Sequence, residues 1–90
     1  MGTVKKLATD TVVGLVLPDE WDDDFENIVA VVIDGDDGET YRVSREGVGK
    51  RLLDFADLWV EAVGTVEEVD GELVLTVRRF SELDERYAEY

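Results

Sequence analysis

The sequence predicts an all-β barrel of five strands with one short helix. Three observations carry that expectation. β-Branched, apolar runs of strand length recur along the chain. Compact acidic turns, "DGDDG" at Asp34–Gly38 and "DG" at Asp70–Gly71, join neighbouring runs at hairpin distance. The pattern departs from strand spacing once, between Val48 and Ala56. With 90 residues, a single domain is expected. Residues 1–80 would form it, leaving 81–90 as a tail.

The elements follow in order. "TDTVVGLVL", Thr9–Leu17, is β-branched and interrupted by Gly14. "NIVAVVID", Asn27–Asp34, is a near-continuous apolar run of strand length. "ETYRVSR", Glu39–Arg45, alternates, with Tyr41 and Val43 facing the core. The turn between these two runs makes them a hairpin. In "EGVGKRLLDFADL", Val48, Leu52 and Phe55 or Ala56 fall on one face of a short helix. So short a helix is held by packing rather than by propensity. "LWVEAVGTVEEV", Leu58–Val69, puts Val60, Ala62, Gly64 and Val66 on one side. After the Asp70–Gly71 turn, "ELVLTVRRF", Glu72–Phe80, directs Leu73, Leu75 and Val77 to one face. The tail "SELDERYAEY" reads as a frayed end or a short helix capped by Ser81, with Leu83, Tyr87 and Tyr90 along one side.

"TVVGLV" and "EAVGTV" each place a glycine inside a valine-rich strand, where a small barrel needs to bend. The stretch "VEAVGTVEEVDGELVLTV", Val60–Val77, resembles the last hairpin of many small prokaryotic OB-fold domains. The resemblance spans roughly Thr9 to Phe80 and concerns architecture: five strands with a helix between the third and fourth. It implies a ligand face on the second and third strands, flanked by the first loop and the last hairpin turn. The competing architecture is an SH3-like barrel, which carries a 3₁₀ turn before its last strand.

Composition narrows the chemistry. Twenty-three acids oppose nine bases, giving a net charge of −14. Such a chain repels nucleic-acid backbones and anionic membranes at long range. Hydrophobic residues make up 44% of the sequence in patterned runs, which argues for a folded domain rather than a disordered one. There is no cysteine and no histidine, so disulfides, thiolate metal sites and the usual neutral-pH general base are all excluded. No run has the length of a signal peptide or membrane span, and a cytoplasmic location is expected. Lysine is scarce, at Lys5, Lys6 and Lys50, so adaptation of the surface to a salty cytoplasm is one reading of the acidity.

The richest stretch for function is "LPDEWDDDFEN", Leu17–Asn27, which falls in the first loop. With "EEVDGE", Glu67–Glu72, it surrounds the implied cleft with carboxylates. Trp21 and Phe25 are candidate anchors for a protein partner, with acids that would steer a basic one. Tyr41 and Arg42 are candidates on the strand face, though Tyr41 also reads as core. Asp22, Asp23 and Asp24 offer oxygen ligands for weak divalent-cation binding. "DGDDGETYRVSR" from Asp34 misses the EF-hand pattern, because Gly38 comes one place early and Arg45 occupies the twelfth position. Ser44 and Ser81 have no histidine partner, and no acid pair has an environment that would separate its pKa values. The expectation is a non-enzymatic binding module without a cofactor, most suited to a protein partner. Single-stranded nucleic acid is the alternative.

Overall fold

The computed structural model describes residues 4–83, with side chains described from Thr9 onward. Five strands are present: β1 Val4–Trp21, β2 Ile28–Gly35, β3 Thr40–Val43, β4 Trp59–Val69 and β5 Glu72–Glu82. A 3₁₀ helix, Gly49–Phe55, lies between β3 and β4. The strands close into a barrel in the order β1-β2-β3-β5-β4, with β3 and β5 parallel and the other pairs antiparallel. This is an OB-like barrel. The helix precedes β4 rather than the last strand, which separates it from the SH3-like alternative.

β1 is much longer than its sequence suggests because it serves two neighbours. Its first part pairs with β4 as far as Leu15–Trp59, and its second part pairs with β2 from Gly14 to Trp21. Gly14 lies where the two ladders overlap, paired with both Gly35 and Val60. A Cβ there would overlap the carbonyl oxygen of Asp34. At Gly64 it would overlap the carbonyl oxygen of Thr76. Next to Gly64, the β4–β5 register skips Arg78, so a bulge bends the sheet at that point. The two in-strand glycines are thus required by close backbone approach.

Alternation then fills the interior. Val12 and Val16, Val31 and Ile33, Val60, Ala62 and Val66, and Leu75 and Val77 all point inward and are buried. Asp70 and Gly71 have φ values of 52° and 86°, the paired left-handed geometry of a tight hairpin turn.

The α-helical spacing of Val48–Ala56 is realised as a seven-residue 3₁₀ helix. The physical reason lies at its start. Gly47 is left-handed, with φ 71°, and Val48 supplies no side-chain cap. Seven residues are also too few to offset α-helix nucleation. Packing still selects the expected face. Leu52 is fully buried under one end of the barrel, and Phe55 meets Phe80 edge-to-face at 5.0 Å. The Val48 N–H donates to the Val77 carbonyl at 3.0 Å, tying the helix to β5.

β5 continues past Phe80. Ser81 is a strand residue opposite Glu61, so it does not cap a helix. The Leu83 N–H donates to the Trp59 carbonyl at 2.8 Å. Tyr87 and Tyr90 lie outside the described residues. Among the described residues, no helix is long and apolar enough to cross a membrane.

Candidate binding groove and its acidic rim

β1 carries on to Trp21, so the first loop is only Asp22–Asn27. Asp22 organises it. One carboxylate oxygen accepts from the N–H groups of Asp24 and Glu26, at 3.2 and 3.0 Å. The other accepts from the Asn27 side-chain amide at 2.8 Å. The Phe25 N–H donates to the Asp22 carbonyl, and the Asp22 N–H donates to the Asn27 carbonyl, closing the turn. These bonds, led by that from Asn27, hold the Asp22 carboxyl below its ordinary pKa.

The outcome is display. Phe25 is 78% exposed and Trp21 is 45% exposed; they are the exposed large hydrophobics among the described residues. Phe25 is also left-handed, with φ 57°, a conformation that costs a non-glycine residue on the order of 1–2 kcal/mol. The Asp22 network holds an aromatic outward against that cost. Sequence clustering of acids does not become convergence in space. Among the described residues, no group of three His, Cys, Asp or Glu side chains is placed to hold a metal. Asp22, the least exposed of Asp22, Asp23 and Asp24, turns its oxygens to the loop's own donors.

Beside this loop an open groove of about 720 Å³ runs over the start of β2 and the end of β3. Ile28–Val31 form one wall, and Val43–Arg45 with Gly49, Lys50 and Leu53 of the helix form the other. Glu20, Arg42, Val69 and Val74 complete it. Among the described residues, the cationic residues Arg42, Arg45 and Lys50 therefore line a largely apolar groove together with one acid, Glu20. Arg42 is paired with Glu72 at 2.9 Å, an exposed contact worth ~0–1 kcal/mol. Arg45 donates to the Val29 carbonyl at 3.1 Å.

Of the residues singled out in the sequence, Arg42 lines the groove, whereas Trp21 and Phe25 are exposed but outside its lining, in the stretch between Glu20 and Ile28, which do line it. Tyr41 is core, 5% exposed, and its hydroxyl donates to Asp37 at 2.7 Å. In the sequence Arg45 stands out only as a break in the EF-hand pattern and Lys50 only as one of three lysines, so neither is marked as a groove residue. A signal existed for Arg45. Continuing the hairpin register beyond Val32–Arg42 sets Val29 opposite Arg45. No family model, no curated protein and no solved structure matches this chain.

Proposed function

We propose that this chain is an OB-type, non-enzymatic binding module of the cytoplasm whose ligand is another protein. The observation that carries this reading is the rim. A loop braced by Asp22 presents Phe25 to solvent, Trp21 is exposed at the end of β1 just before it, and Glu20 and Ile28 on either side of this stretch line an apolar groove. Exposed aromatics next to an apolar groove suit interface anchors. The flanking acids favour basic groups on the partner near the rim.

Single-stranded nucleic acid is the second reading, favoured by Arg42, Arg45 and Lys50 in the groove. Two facts weigh against it. Among the described residues no aromatic ring lines the groove, whereas strand binders stack bases on such rings. The chain's charge of −14 opposes a polyanion.

The test is affinity capture from cytoplasmic extract with the native protein and the Trp21→Ala/Phe25→Ala variant. The expected result is a protein partner retained by the native chain and reduced at least ~10-fold by the variant, at unchanged melting temperature. Equal retention would remove the rim from the interface.

A further inference from the structure

β2 is paired unevenly. On the β1 side its ladder runs from Gly35 to Ile28. On the β3 side the register covers only Val32, Ile33 and Asp34. Beyond Arg42 the third strand leaves β2, and Ser44 instead donates its N–H to Leu75 of β5 at 2.9 Å. Among the described residues, the stretch Ile28–Val31 therefore has a strand neighbour on one side only, and its other side opens into the groove.

Antiparallel geometry identifies the groups that face this opening. The Gly35 N–H donates to the Glu39 carbonyl at 2.8 Å, so Gly35 directs its polar groups toward β3. With a two-residue period, Ile33, Val31 and Val29 do the same. The Arg45 guanidinium confirms the direction, since it bonds the Val29 carbonyl from that side. A side chain thus occupies an acceptor that a strand would otherwise use. An unpaired strand edge next to an apolar cleft is the setting in which extended peptides add to a sheet.

We propose that the groove receives an extended peptide segment of a partner protein as an added strand along Ile28–Val31, and that the segment carries a carboxylate for Arg45 and Lys50. This deepens the protein-binding reading and rests on it. The groove's volume, about 720 Å³, lies within the range of ~300–1,000 Å³ typical of ligand sites. Alternate side chains of the segment would lie against Ala30, Leu53 and Val74, which supply apolar floor. Charge complementarity fixes the acid. Arg42 already has Glu72, whereas among the described residues Arg45 is engaged with a neutral carbonyl, which it can exchange for a carboxylate. Glu20 is the acid within the groove lining, and exposed charges farther away than ~8 Å are largely screened at physiological ionic strength.

The experiment is selection from a phage-displayed library of random linear dodecapeptides, followed by NMR titration of the strongest binder into the isotope-labelled protein. Enriched peptides should carry Asp or Glu among β-branched residues, and saturable shifts should map to Val29, Val31, Arg45 and Lys50. Arg45→Glu should weaken binding at least ~10-fold with the folded spectrum retained. N-methylation of the peptide at alternate amides should abolish binding in one phase and spare it in the other, as strand pairing requires. Peptides that map only to Trp21 and Phe25, or that tolerate both methylation phases, would overturn the added strand while leaving the protein-binding reading intact. No enriched peptide would also overturn it. If, in addition, single-stranded oligonucleotides gave saturable shifts in the groove, the protein-binding reading would fall too.

Discussion

At the scale of single residues, two hydrogen-bonded side chains link charge state to structure. Asp22 holds the rim loop through three hydrogen bonds to its carboxylate, and its folded pKa is depressed. The support it gives is therefore complete above the ordinary aspartate pKa of ~3.9 and is lost as pH falls through the lower folded value. Trp21 fluorescence and the Glu26 amide shift should report this acid transition, and Asp22→Ala should abolish it while exposing the loop to faster amide exchange at neutral pH. A transition unchanged in the variant would show that another group braces the loop. Tyr41 behaves oppositely. Burial first, and its bond to Asp37 second, raise its pKa well above the usual tyrosine value. A raised folded pKa keeps its stabilisation below pH ~10 and loses it as pH rises beyond that. Denaturant unfolding of Tyr41→Phe should show a loss of ~0.5–1.5 kcal/mol at neutral pH and a flatter stability profile above pH ~10. An alkaline slope equal to that of the native protein would contradict the role given to Tyr41.

At the scale of elements, the barrel depends on two kinds of close fit. Leu52 enters the core from the 3₁₀ helix and is fully buried, so Leu52→Ala should destabilise by about 2–5 kcal/mol in denaturant unfolding. A loss well below that would mean the helix is a lid the barrel does without. Gly64 packs its Cα against the Thr76 carbonyl, so Gly64→Ala should cost about 1–3 kcal/mol or more through backbone displacement. Strand identity was legible because inward and outward residues alternate so cleanly, as in Val60, Ala62, Gly64 and Val66. The helix type was not, because residues three apart lie near one another in both α and 3₁₀ geometry. The length of β1 was hidden as well. Residues 18–21, "PDEW", carry turn composition, and it is pairing with β2 across a register shift that makes them strand. The groove is where sequence reasoning fell shortest. Alternation describes faces within a strand, and Arg45 and Lys50 reach the groove from beyond the end of β3, where alternation no longer applies.

At the scale of the whole molecule, charge sets behaviour. The net charge is −14, and among the described residues Arg42–Glu72 is the ion pair within 4.0 Å. Repulsion among the excess acids should therefore limit stability in dilute buffer. Potassium chloride raised from low ionic strength to about 0.5 M should increase the melting temperature by several degrees, with ~1 kcal/mol corresponding to ~4–8 °C for a domain of this size. A flat dependence would show that the acids are spaced widely enough to ignore one another. The same charge bears on the proposed choice of a protein ligand over a nucleic acid. A net charge of −14 opposes the approach of a phosphate polymer at long range. The most direct measurement is a titration of single-stranded oligodeoxythymidylate into the isotope-labelled protein at low salt, followed by NMR. Binding of a protein segment rather than a nucleic acid predicts no saturable shift at Arg42, Arg45 or Lys50. Saturable shifts at these residues that weaken as salt is raised would contradict it.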